Sequence, residues 1–162
     1  MRKVVFTTLF GLLLYSSAWA DEYVLPANDP VASVTFPDAW KSSIYERGVE
    51  SISGDSQVYF AVEATDSSRI ENSITEALQY LQTKGVNVDE SSLQKDSTDI
   101  GGKETATFDW DGKDKHGACK VGLAVMRVKG DKGLLFIYYA TPEGSKAHLQ
   151  DLSGILASVK PQ

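Results

Sequence analysis

The segment 134–141, Leu-Leu-Phe-Ile-Tyr-Tyr-Ala-Thr, offers an apolar or aromatic side chain at nearly every position. In a strand successive side chains point to opposite faces. Leu134, Phe136, Tyr138 and Ala140 therefore line one side, and Leu135, Ile137 and Tyr139 the other. Such a strand needs cover on both faces, which makes it the centre of a sheet and excludes a sheet with one wet face. A chain of 162 residues with 42% hydrophobic side chains has the material for that cover. Cys119 is the sole cysteine, so packing rather than an internal disulfide must hold the fold.

Two segments read as the covering helices. Ile70, Ile74, Ala77, Leu78 and Leu81 recur on one helical face, and Gly85 supplies a left-handed stop. Ser68 with Glu71 forms a capping-box pattern ahead of them. Near the C-terminus Leu149, Leu152, Leu156 and Val159 repeat at three and four residues, after a start at Thr141-Pro142-Glu143.

The remaining segments read as strands in hairpin series. Residues 31–36 form a strand ended by Pro37-Asp38, and Trp40 folds back over the core or serves as a contact anchor. Segments 43–53 and 57–65 flank the turn Gly54-Asp55-Ser56. Alternation in the second predicts one buried face, and the charges of the first suit an edge strand. Residues 86–98 are polar, with a strand expected through Leu93, and 103–110 and 118–128 are strands joined by a charged loop at 111–117. Gly101-Gly102 and 129–133 are turns. Hairpins with two helices predict an α+β fold, an antiparallel sheet with a helix on each face, that is, an α/β/α sandwich.

Residues 1–20 have the build of an export signal. Arg2 and Lys3 precede a mostly apolar run, and Ala18-Trp19-Ala20 gives the small-x-small cleavage pattern. The run is too short for a membrane span, and no cysteine near the cut can take a lipid, so the expectation is a soluble periplasmic or secreted protein without a stable anchor. Residues 21–30 are expected as a flexible leader and 31–162 as one domain. The net charge of −6 falls to −8 once Arg2 and Lys3 are removed. That surface repels phosphate backbones, which excludes nucleic acid and favours basic partners.

No sequence motif specifies catalysis or a cofactor. In the cluster Asp109 to His116 glycine stands fourth and Lys120 twelfth, which does not match a calcium loop needing glycine sixth and glutamate twelfth. His116 near Cys119 raises a thiol nucleophile, but no orienting group can be assigned, and Cys119 falls in the inward register of its strand. His116 and His148 lie too far apart for a zinc pattern. No nucleophile elbow, phosphate loop or dinucleotide glycine pattern occurs.

The order of elements, with Phe36-Pro37-x-x-Trp40 opening it, resembles the Mog1/PsbP-like family and its small exported DcrB-like bacterial members. The resemblance spans roughly 31–160 and implies an antiparallel α/β/α fold. It also implies a binding, adaptor or assembly-factor role without shared catalytic residues. The expected function is therefore non-enzymatic binding of a protein or small ligand. Trp40, Tyr59, Trp110, Asp111, Asp114 and His116 are its expected contact residues. Alternatives are an acidic immunity or inhibitor protein acting on a secreted toxin, and a hydrolase using Cys119 or hidden carboxylates.

Overall fold

The computed structural model describes residues 20–162, and the export-signal pattern at 1–20 lies almost wholly outside them. The elements run β1 (Asp21–Leu25), β2 (Ala32–Phe36), β3 (Lys41–Tyr45), β4 (Gly48–Ile52), β5 (Val58–Asp66), α1 (Ile70–Thr83) and β6 (Asn87–Val88). After a short 3-10 turn at Glu90–Ser92 follow β7 (Gln94–Ile100), β8 (Lys103–Asp114), β9 (Gly117–Lys129) and β10 (Lys132–Ala140). The helices α2 (Pro142–Ala147) and α3 (Leu149–Ala157) and the strand β11 (Lys160–Pro161) end the chain. The large sheet has the order β3-β4-β5-β10-β9-β8-β6, with β7 also on β8, and every pairing is antiparallel.

The double-faced strand is β10. It pairs β5 on one side and β9 on the other, and Gly133 through Ile137 are buried throughout. Its even-numbered residues join Phe60, Val62, Met126 and Phe36 in one core, and Leu135 and Ile137 join Ala77, Leu81, Val121 and Leu123 in a second. α1 covers the second core. The first is covered by α3 and by a small sheet of order β1-β2-β11. The sandwich of helices on a sheet is thus present, with the small sheet sharing one outer layer.

Several local expectations are corrected. The 21–30 leader begins with β1, whose Asp21 to Leu25 pair residue by residue with Phe36 to Ala32. That pairing depends on a remote partner, and no local periodicity announces it. β5 is buried on both faces from Val58 to Glu63, because α1 packs on the side carrying Tyr59 and Ala61. The single edge run expected at 43–53 folds as the hairpin β3–β4, turning at Glu46-Arg47. Ser68 does not cap α1: its hydroxyl and amide both donate to Asp66 Oδ1, and the helix starts after Arg69. Leu93 lies outside any strand, and β7 begins one residue later.

At 111–117 the expected loop is mostly ladder. Asp111 pairs with Lys120 and Asp114 with Gly117, leaving Lys115-His116 as a two-residue turn. The C-terminal helix breaks at His148 into α2 and α3. Thr141 caps α2 by accepting from the Gly144 amide at 2.9 Å. Leu149 of the expected stripe is 63% exposed, and Ile155 is the residue that α3 buries fully.

Candidate functional site

The expected contact residues do not gather into one exposed site. Trp40, Tyr59 and Trp110 are packed into the interior, with only 4–6% of each exposed. Trp40 belongs to the core under α3, and Tyr59 and Trp110 to the core under α1. Of the rest, Asp111 and His116 are exposed and Asp114 is half-buried. Asp111 pairs with Lys120 at 2.5 Å, and Asp114 Oδ1 accepts from the amides of His116 and Gly117 as a turn cap. Cys119 is buried on the α1 side, and desolvation pushes its thiol up to about 11. His116 sits at the exposed turn.

Two polar clusters that the sequence reading did not assemble are built from remote elements. On the α1 side, Glu63 is buried on β5 and held by the Tyr45 hydroxyl and by Arg47 at 3.1 Å. Burial raises its carboxyl above the usual range despite those partners. Arg47 also reaches Glu76 at 3.5 Å and lies over the Tyr80 ring. Beside it Glu50 accepts from Tyr59 and Tyr80, with Lys84 at 3.7 Å. Every member is engaged by another, which gives a structural brace between β3, β4, β5 and α1.

The second cluster is centred on His148, at the break between α2 and α3. Its Nδ1 lies 2.8 Å from Asp151 Oδ2 and its Nε2 3.1 Å from Asp55 Oδ2. Trp40 Nε1 donates to the same Asp151 oxygen at 3.4 Å, and the indole meets the imidazole edge to face. This clamp fixes one flank of α3 against the β4–β5 turn. The far end of the helix is tied to the small sheet, where the Thr35 amide donates to Ser158 Oγ at 2.9 Å.

The other flank of α3 stands off the sheet. Between them runs a groove of about 210 Å³, walled by Leu149, Leu152 and Leu156 of α3 and by Phe60, Phe136 and Tyr138. Its floor is Thr107, Gly122 and Ala124, the small residues on that face of β8 and β9. Gly122 is required: a Cβ there would stand 2.0 Å from the Tyr138 ring. Asp109 stands exposed at one end, and partial desolvation raises its carboxyl. A smaller polar recess lined by Ser92, Gln94, Asp111 and Lys120 shares Asp109 and Tyr138 with the groove. The sequence carried one trace of this site: opposite the inward Cys119, Val121 and Leu123, β9 alternates the undersized Gly122 and Ala124.

Among the described residues no group of three His, Cys, Asp or Glu side chains is placed to hold a metal, and no helix is long and apolar enough to cross a membrane.

No family model and no curated protein matches the chain. Solved structures do. A protein of Bacteroides thetaiotaomicron aligns over 87% of this chain at 14% identity with a TM-score of 0.58, and this chain spans about half of it, 48%. The cyanobacterial PsbP (CyanoP) of Synechocystis aligns over 90% of this chain and 94% of its own, at 8% identity and a TM-score of 0.61. LpqN, involved in cell envelope biogenesis of Mycobacterium tuberculosis, aligns over 88% and 92%, at 11% identity and a TM-score of 0.52. At these identities the likeness is one of architecture, and the chain has the Mog1/PsbP-like fold, an antiparallel sheet flanked by helices.

Proposed function

We propose that this is a non-enzymatic binding protein that works outside the cytoplasm and takes a small, largely apolar ligand in the groove beside α3. The observation that carries the reading is an open slot walled by three leucines of α3, two phenylalanines and a tyrosine. Its volume of about 210 Å³ exceeds the roughly 150 Å³ cavity that admits a benzene, and falls below the roughly 300 Å³ where drug-sized sites begin. The size class is therefore a single ring or a short alkyl chain. The titratable clusters elsewhere are closed on themselves, which favours binding over catalysis.

The export pattern at 1–20 supports the location, and membership of the exported DcrB-like group is part of the same proposal. Sequencing the N-terminus of protein recovered from the periplasm is expected to read Asp21 first.

Titration with hexan-1-ol, followed by amide NMR, tests the binding reading. Shifts are expected at Gly122, Ala124, Leu149 and Leu152, and Ala124→Trp, which fills the slot, is expected to abolish them. Undisturbed groove amides at millimolar hexanol, or unchanged binding by the filled variant, would overturn it.

A further inference from the structure

The groove has one charged lining residue. Asp109 is the sole ionisable carboxylate among its walls, and among the described residues it has neither an ion-pair partner nor a hydrogen-bond donor. The one cation acting on it is Lys120, whose Nζ is committed to Asp111 at 2.5 Å. Asp109 is exposed at the rim of an apolar slot, and with no protein partner its carboxylate is open to a donor carried by a ligand.

Asp109, Gly122 and Tyr138 form a row across β8, β9 and β10 on the groove face. The Asp109 Oδ1 atom lies 3.1 Å, and the Tyr138 ring 2.0 Å, from the point that a Gly122 Cβ would occupy. The Asp109 carboxylate thus stands beside the Tyr138 ring at the end of the slot, next to the polar recess. An ammonium group suits this end of the slot, because it pairs with the carboxylate through a charge-assisted hydrogen bond. A carboxylate head would instead face Asp109 and Asp111 together. The net charge of −6 biases the approach in the same direction.

We propose, building on the binding role given above, that the groove selects an amphipathic cation, with an apolar body against Leu149, Leu152 and Ala124 and a protonated amine paired with Asp109. The class is a small alkyl or aryl amine.

Three probes of one length separate the parts of this proposal: hexylammonium, hexan-1-ol and hexanoate, each titrated into the protein at pH 7 and low salt with groove amides as the readout. Hexylammonium is expected to bind at least about five-fold tighter than hexanol, as a partly shielded charged hydrogen bond gives, and hexanoate weaker than hexanol. Asp109→Asn is expected to bring the three within about two-fold of one another, and an amide spectrum unchanged in the α1-side core shows the variant folded. High salt is expected to shrink the preference. Hexanol binding without a preference for the amine, or a preference that survives Asp109→Asn, overturns the selectivity and leaves the groove reading standing. Absence of groove shifts with all three probes overturns the groove reading and the selectivity with it.

Discussion

Cys119 is a residue whose type promises chemistry and whose setting withdraws it. It is 3% exposed, and burial raises its thiol to about 11, so the reactive thiolate is scarce near neutrality. Thiol reagents are expected to leave the native protein unlabelled and to label it stoichiometrically in denaturant; rapid native labelling would contradict this. Arg47 has the opposite profile, unremarkable in sequence and consequential in place. It is the cation beside the buried Glu63, so Arg47→Ala leaves a carboxylate uncompensated and is expected to cost about 2 kcal/mol, below the fully buried range because Arg47 is 30% exposed. Adding Glu63→Gln removes the orphaned charge, and a denaturant midpoint restored toward the parent is the check. Residue types alone left both a core and a contact role open at Trp40, Tyr59 and Trp110, and the fold packs all three inside. Large aromatics serve interfaces and cores alike, and which role they take is settled by what the rest of the chain folds over them. Asp109 opened the acidic cluster weighed against a calcium loop, but its place at the groove depends on three strands and a helix meeting.

Elements with strong internal periodicity were legible: α1, β9 and β10 stand within a few residues of where the pattern puts them, and the turns at Gly54, Gly101-Gly102 and Gly130 fall at their glycines. β1 and the break between α2 and α3 were not. The first exists through pairing with β2, and the second through the clamp that His148 makes with Asp55 and Asp151. That clamp sets a pH window. The two carboxylates raise the His148 pKa, with Asp151 the larger cause, so its contribution is complete below about 6.5, the ordinary histidine value, and is lost as pH rises through the folded value. Asp55 is depressed to about 2 by Ser53 first and His148 next, so its share is present above about 3.9 and is lost as pH falls toward 2. The tie on α3 is therefore strongest between about pH 4 and 6.5. Thermal melts are expected to show a stability advantage over His148→Ala of about 2–4 °C near pH 5.5, narrowing above pH 8; an advantage that is flat with pH would contradict it.

At the scale of the molecule, the double-faced strand read from the sequence does organise the fold, since both cores meet at β10. What the sequence withheld is how each face is covered, because covering is a matter of relative placement of α1, α3 and the small sheet. The two cores have a testable independence. Phe136 lies in one and Ile137 in the other, although they are neighbours in the chain. Phe136→Leu and Ile137→Val are each expected to cost about 1 kcal/mol, and the double variant their sum within about 0.5 kcal/mol, measured by urea unfolding. Strong coupling between them would show that the interior yields as one. If the sum holds, the sheet acts as a party wall between two rooms. Whatever lodges beside α3 then rearranges the furniture on its own side, and the brace of tyrosines and ion pairs behind α1 stays undisturbed.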